Sequence, residues 1–389
     1  MGKMAVADKL GVYVSVPFCR AKCSFCNFAS GVGGEEAIER YVTTLCAEIV
    51  RVSETAERLG AELPRAVDTV YFGGGTPSLL EPEQMQRIFA ALRAGFEIER
   101  GAEITLEAAP GQIADGVLEQ AMRLGVNRVS LGVQSFVDRE CTAVGRLHTG
   151  AECAREIRRL RERGVRDVGA DLIAGLPYQT RESWRESLET AAELAAKAAL
   201  THLSVYLLEI DEDSRLGREV LGGGARIHAP AVASEELAAE LYETACEFLP
   251  DASFAQYEIS NFAVEGFQSR HNRKYWERKP YVGVGLDAHS MLERVSGAVR
   301  FANADELSVY DGSGPGSVTQ VGEREAFEES VFLGLRLCEG IDSALLDAET
   351  VEDLVDEELM WVGGGKAGLT MRGRVVSNEI FGELLGVRC

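Results

Sequence analysis

Six short β-branched runs, each followed by a longer amphipathic segment, leave this chain few folds to choose from. The runs lie at 12–16, 69–72, 103–106, 128–133, 167–173 and 202–208. Between them Ile38, Tyr41, Val42, Leu45 and Ile49 recur at helical spacing, as do Met85, Ile88, Phe89 and Leu92. Strand then helix, repeated in this way, predicts an α/β protein with a parallel sheet, because parallel neighbours need a crossover connection. Periodicity alone fits both an open doubly wound sheet and a partial barrel.

The placement of polar and glycine-rich residues separates the two. The first run is followed by a loop with Cys19, Cys23 and Cys26, the second by Gly73-Gly74-Gly75-Thr76-Pro77, the third by Glu107, the fourth by Gln134-Ser135, and the fifth by Gly175-Leu176-Pro177. Chemistry gathered at the carboxyl ends of successive strands is the pattern of a βα barrel, whose loops meet around one mouth. The fold class expected is therefore a partial (β/α)6 barrel.

Three thiolates within eight residues can hold three irons of a cubane cluster that usually takes four Cys, leaving one iron open for a small molecule. A structural zinc site completes four protein ligands, and no second pair of suitable spacing is present. Cys46, Cys141, Cys153, Cys246, Cys338 and Cys389 are scattered, and nine is an odd total, so they read as buried thiols of a reduced compartment. The glycine run next to such a cluster reads as bare backbone that a ligand can approach. Glu107 and Asp171 are carboxylates able to accept hydrogen bonds from a ribose diol.

With 389 residues, 46% of them hydrophobic, one large domain plus a smaller one is expected. Lys and Arg number 40 against 62 Asp and Glu, and the resulting charge of -22 repels phosphate backbones, so no nucleic-acid partner is expected. Residues 1–10 lack a long apolar stretch, and the Ala-rich tract 191–200 is interrupted by Glu193 and Lys197. Neither a signal peptide nor an integral membrane segment is expected, which places the protein in the cytoplasm.

Taken in order, the Cys-x3-Cys-x2-Cys loop, the Gly-Gly-Gly-Thr-Pro turn, Gly132-Val-Gln-Ser135, Gly145-Arg-Leu-His148 and Asp171-Leu-Ile-Ala-Gly-Leu-Pro177 resemble the radical S-adenosylmethionine (SAM) proteins, within them the coproporphyrinogen III oxidase-like group. For the fold the resemblance implies a radical SAM core over 1–240, a connecting region over 241–310, and a small helical, winged-helix-like domain over 318–389. For the chemistry it implies a 4Fe-4S cluster on Cys19, Cys23 and Cys26. The methionine amine and carboxylate of SAM chelate the open iron, and reductive cleavage gives a 5'-deoxyadenosyl radical. Tyr13, Gly74 and Glu107 match contacts to a first SAM, and Gly75, Thr76, Gln134, Arg146 and Asp171 match positions that hold a second in the oxidase.

Two departures point away from the oxidase itself. Its fourth cysteine, two positions after the third, is Phe28 here, and eighteen residues precede Cys19 where a long segment is expected. The sister branch, the HemW-type haem chaperones, carries a His-Asn-x-x-Tyr-Trp motif, matched by His271, Tyr275 and Trp276. An imidazole can ligate haem iron and the two rings can cover a porphyrin face; equally, all three can pack as core. Five cations in the window 270–279, against Glu277 alone, give a net of +4 that suits propionates. His148, His202 and His289 are further candidate ligands.

The resemblance thus implies a haem chaperone that passes haem to respiratory acceptor proteins, with peripheral membrane association during delivery, without coproporphyrinogen oxidase activity and with an electron donor for its cluster. The alternative is oxygen-independent coproporphyrinogen III oxidation or another radical reaction on a tetrapyrrole. Two substitutions bear on the site: Ala109 stands where the family has Asn, and Leu286-Asp287 where it has Pro-Gly. The turn-rich stretch 311–317 is the expected domain boundary, and the acidic stretch 341–366 reads as a solvated helical face.

Overall fold

The computed structural model describes residues 8–385, so Cys389 and most of the first ten residues lie outside it. Each of the six predicted runs is a strand: β1 (Leu10–Val16), β2 (Ala66–Gly74), β3 (Glu97–Ala108), β4 (Arg128–Gln134), β5 (Asp167–Ala174) and β6 (His202–Leu207). They pair in sequence order and in parallel. The first strand shows why: Leu10, Val12, Val14 and Val16 are all buried, and so are most residues between them. A strand covered on both faces needs helices outside and side-chain layers inside.

The crossover helices supply the outer cover through one apolar stripe each. In the helix Glu35–Arg58 that stripe is Tyr41, Val42, Leu45, Ile49 and Val52, all buried. In Pro82–Gly95 it is Met85, Ile88, Phe89 and Leu92. The helices Gly150–Glu162 and Arg181–Ala196 begin with capping boxes at Thr149 and Thr180, which satisfy orphan N–H groups and fix where each strand hands over to its helix. Residues from the ends of five of the six strands, and from the loop after the first, line one cavity, which an open flat sheet would not allow. The sheet is a partial barrel.

The sheet extends beyond the barrel on both sides. Strand β8 (Asn261–Ala263) continues it antiparallel to β6, and β7 (Ala255–Gln256) pairs antiparallel with β8 at the edge. On the other side β9 (Tyr281–Val284) lies parallel to β1, followed by antiparallel β10 (His289–Glu293), β11 (Ala298–Ala302) and β12 (Ser317–Val321). The expected linker 311–317 is therefore the loop between two paired strands, and the span 241–310 belongs to the main sheet. Turn-rich composition marks a hairpin loop as readily as a domain boundary, which is why sequence misplaced it. The main hydrophobic core runs unbroken from Leu10 to Phe301.

A second core, built on Val331, Leu335, Leu354, Met360, Leu369, Ile380 and Phe381, belongs to the carboxyl-terminal unit. Its helices Glu323–Gly334, Ala348–Asp356 and Ser377–Leu384 surround a hairpin of Met360–Gly363 and Lys366–Leu369. The acidic stretch thus contains a short helix whose Val351 and Leu354 are buried, and half of that hairpin. Ile259 packs against both cores, and the Ile259 and Cys338 amides donate across the joint to Arg336 and Tyr257 carbonyls. Among the described residues no helix is long and apolar enough to cross a membrane.

Leu45 is fully buried between the first crossover helix and the barrel. Leu45→Ala is expected to cost about 2–5 kcal/mol through lost transfer energy and a residual cavity. Leu147→Ala, on the exposed rim, is expected to stay within about 0.5 kcal/mol in the same denaturant titration.

Candidate functional site

At the carboxyl ends of the barrel strands a cavity of about 390 Å³ opens to solvent, within the range of roughly 300–1,000 Å³ typical of small-molecule sites. It is lined by Cys19, Cys23 and Cys26, by Gly74, Gly75 and Thr76, and by Glu107, Gln134, Arg146 and Asp171. Tyr13 does not line it; its ring packs against Gly73 and stacks on Tyr71 at 6.0 Å.

The cysteine loop is held from three directions before any ligand is considered. Its ends are joined by Cys19 N–H to the Gly31 carbonyl and Gly31 N–H to that of Pro17, both 2.9 Å. Ser24 N–H donates to Val144, and Leu216 N–H donates to Ser24. Arg215 donates to the Lys22 carbonyl at 2.6 Å, and Asn27 donates to Asp211 at 2.6 Å, so the loop after β6 braces the loop after β1. All three thiols are free.

Two of the thiols have donors aimed at them. Arg146 Nη1 lies 3.3 Å from Cys23 Sγ and Thr76 Oγ1 lies 3.6 Å from Cys19 Sγ. Such donors stabilise sulfur in its charged, metal-bound form. Among the described residues no three His, Cys, Asp or Glu side chains converge on one point that could seat a single ion. A cubane makes no such demand, since each cysteine holds a different iron, whereas a zinc ion about 2.3 Å from every sulfur does. The donor set fits a cluster.

The glycine run has internal reasons for being glycine. A Cβ on Gly73 would stand 3.0 Å from the Tyr13 ring and 3.1 Å from that of Tyr71. Gly74 has φ +98°, and a Cβ there would meet Ser15 Oγ at 2.9 Å. At Gly75 it would meet the Phe18 and Val16 backbone at 2.7–2.8 Å. These contacts give the run an internal reason for glycine beside the expected approach of a ligand: a side chain would strike strand β1, Tyr71 and the entry to the cysteine loop, while the bare backbone of Gly74 and Gly75 lines the cavity.

Opposite, β4 carries a bulge between Gly132 and Gln134 in its pairing with β5, and Gln134 has φ +70°. A bulge beside a site re-aims a side chain. The displaced Val133 carbonyl accepts from His148 Nε2 at 3.1 Å, and Arg146 donates to the Gly132 carbonyl. Burial and the Arg146 cation pull the His148 pKa down to about 4, so this ring is neutral.

Both carboxyl groups are held above their ordinary range. Burial pushes Glu107 up to about 7, against the hydrogen bonds it accepts from Tyr71 and Gly74. Burial likewise raises Asp171, which Ser204 and Ser130 partly offset. Gln112, unnoticed in sequence, also lines the cavity; its Oε1 and the Nε of Arg146 are buried without partners. Orphaned polar atoms facing a cavity call for a ligand. Gln112 sits on the same loop as Ala109 and carries an amide there; only the turn Pro110-Gly111 marked that loop. Phe28, Leu147, Tyr206 and Leu207, all at least 41% exposed, form an apolar rim.

His271, Tyr275 and Trp276 lie elsewhere. The helix Arg270–Trp276 closes the opposite, amino-terminal end of the barrel, against Lys9, Gly11, Asp68, Thr69 and Glu103. The His271 ring is 1% exposed, with Nδ1 bonded to Thr69 Oγ1 and Nε2 to Tyr275 OH, both at 2.9 Å. In this arrangement neither nitrogen is open to an iron, so the geometry favours the packing alternative for these three residues over haem ligation. The basic window is also spent: Arg270 and Lys274 pair with Asp68, Arg273 with Glu277 and Glu339, Arg278 with Glu293 and Glu329, and Lys279 with Glu277. His202 is buried with Nε2 on Tyr257 OH. Exposed imidazoles are His289, 3.7 Å from Asp287, and His228, whose Nδ1 is bonded to Tyr178 OH at 2.9 Å.

Residues 13–191 match the Radical SAM superfamily, the class that a partial barrel with a three-thiol loop at its mouth defines. The heme chaperone HemW of Bacillus subtilis is 30% identical over 392 residues, covering 96% of this chain and 98% of that protein. The protein of the same name from Escherichia coli is 33% identical over 297 residues, 76% and 74% of the two chains. The chain belongs to the HemW family. Coproporphyrinogen III oxidase (HemN) from Escherichia coli shares the fold, with TM-score 0.81 at 23% identity over 97% of this chain and 90% of that one. Family membership implies a 4Fe-4S cluster and SAM as cofactors.

Gly75→Ala is expected to displace the cysteine loop and lower iron loading on anaerobic reconstitution, as Cys23→Ala does, because the added carbon meets backbone that cannot rotate away. Cys153→Ala, fully buried and outside the cysteine loop, is expected to keep full iron content. Equal iron in Gly75→Ala and wild type would contradict this account of the turn.

Proposed function

We propose that the protein is a cluster- and SAM-dependent haem chaperone, delivering haem to respiratory acceptors and not decarboxylating coproporphyrinogen III. Cys19, Cys23 and Cys26 hold the cluster, which when bound supplies an electron to the sulfonium of SAM. Gly74 and Gly75 present backbone to the cofactor, Glu107 accepts its ribose hydroxyls, and Thr76, Gln134, Arg146 and Asp171 hold the remaining polar groups. Tyr13 acts indirectly, by packing under the glycine turn. The observation that carries the reading is the convergence of three free thiols, two unpaired polar atoms and two raised carboxyls in one cavity with an apolar rim.

Relatives named heme chaperone match nearly end to end, which supports haem as the cargo. The propionates find no free cation in the window 270–279, so they turn to the mouth, where Arg20, Lys22 and Arg146 line the cavity beside the rim. An axial imidazole is available at His228, with its ring oriented through Nδ1 and Nε2 left over, the arrangement that metal-ligating histidines adopt.

Titrating haem into the anaerobic holoprotein is expected to give a Soret shift that His228→Ala or His289→Ala alters and His271→Ala leaves in place. Coproporphyrinogen III, added with SAM and a reductant, is expected to remain intact. Carbon dioxide release with vinyl formation would replace the chaperone reading by the oxidase one, and no haem binding at all would remove it.

A further inference from the structure

The floor helix that carries His271, Tyr275 and Trp276 is fastened to the barrel more tightly than a cover needs. The amides of Arg270 and His271 both donate to the Glu103 carboxylate, at 2.9 and 3.0 Å. Lys274, nearly buried, reaches Asp68 at 2.7 Å and the Lys9 carbonyl at 2.8 Å. These bonds tie the helix to β1, β2 and β3 and fix the His271 ring, whose nitrogens are both engaged.

One face of that ring lies on Tyr71, with centroids 5.2 Å apart and planes 28° from parallel. The Tyr71 ring also stacks on Tyr13, at 6.0 Å and 20°. Tyr71 is thus held between two rings, and Gly73 leaves the space that the tyrosine pair occupies. Its hydroxyl extends to the mouth and donates to Glu107 Oε1 at 2.7 Å. A continuous path of packed groups runs from the floor helix to a carboxylate of the cofactor cavity.

We infer that His271 is a positioning residue for SAM binding: it holds Tyr71 so that the phenol fixes Glu107 as an oriented, ionised acceptor for the cofactor's ribose. This rests on the reading of Glu107 as a SAM contact. The electrostatics agree in sign. Asp171 on β5 and burial favour the protonated carboxyl, while Tyr71 and Gly74 on β2 and Arg128 on β4 favour the anion. Tyr13 on β1, Tyr206 on β6 and Tyr275 on the floor helix also face it; each phenol is held above its ordinary range, so all three stay neutral. Removing the Tyr71 donor therefore moves the Glu107 midpoint to higher pH, and SAM binding weakens near neutrality as the anion is lost.

The experiment is a mutant cycle read in two ways: SAM affinity of the reconstituted holoprotein by anaerobic calorimetry, and Glu107 protonation in the cluster-free protein by infrared spectroscopy. The Glu107 carboxyl band is the one that Glu107→Gln removes. Tyr71→Phe is expected to weaken SAM binding about tenfold and raise the Glu107 midpoint. His271→Ala should do the same to a lesser degree, and Tyr71→Phe with His271→Ala should be no weaker than Tyr71→Phe alone. His271→Phe, which keeps the stack without the nitrogens, should restore affinity; if His271→Ala fails to fold, His271→Leu, which fills the space without an aromatic ring to stack on Tyr71, stands in for it and should weaken binding in the same way. Additive losses, or a His271→Ala with wild-type affinity and midpoint, overturn the inference while leaving Glu107 a contact. Unchanged affinity in Glu107→Gln overturns the contact and the inference together.

Discussion

The pairing of β1 with β2 is the constraint on which the site depends. It sets Val16 beside Gly74, and it continues past the strands as Gly75 N–H to the Val16 carbonyl at 2.9 Å and Thr76 N–H to that of Phe18 at 2.7 Å. The cysteine loop therefore leaves its strand already bonded to the glycine turn. With the backbones this close, a side chain at position 75 has nowhere to go, and Thr76 arrives within reach of the first cysteine. A three-thiol site on a loop is held by its neighbour's backbone, which costs far less entropy on loading than ordering a free loop.

The two ends of the barrel solve opposite problems. At the mouth, Arg146 and Gln112 each keep a buried atom without a partner and two carboxyls are held above their ordinary range, which is tolerable where a charged ligand is to be bound. At the floor the buried charges face opposite charges or amides: Arg128 lies 3.3 Å from Asp167, Lys274 pairs with Asp68, and Glu103 takes two helix amides. Removing one member of such a buried pair costs about 3–5 kcal/mol, because the other is left uncompensated. A motif rich in cations and aromatics can thus be a seal, and here it is one, with Trp276 further packed under Arg336 of the carboxyl-terminal unit.

What sequence could reveal follows from range. Strand and helix alternation is local, so all six barrel strands were legible within a few residues, and with them the end of the barrel where the chemistry lies. The cysteine loop, Glu107 and Gln134 could be placed at the mouth because each stands at a strand end or on the loop just beyond it; Asp171 lies inside β5, and Arg146, past the helix Asp138–Ala143, was suggested only by the family resemblance. The basic window misled because its neutralising partners, Asp68, Glu293, Glu329 and Glu339, are supplied by distant segments. Likewise nothing local told that the glycines answer to Tyr13, Ser15 and Phe18, that a bulge re-aims Gln134, or that the stretch 311–317 joins two paired strands. Gln112 had no spacing to betray it.

The central claim is that the mouth holds a cluster with one iron left open to SAM. Mössbauer spectroscopy of the anaerobically reconstituted, iron-57-labelled protein tests it most directly. Addition of SAM should change the parameters of about one iron in four and leave the others as they were. Four irons that all ignore SAM, or stoichiometric zinc in place of iron, would contradict the account.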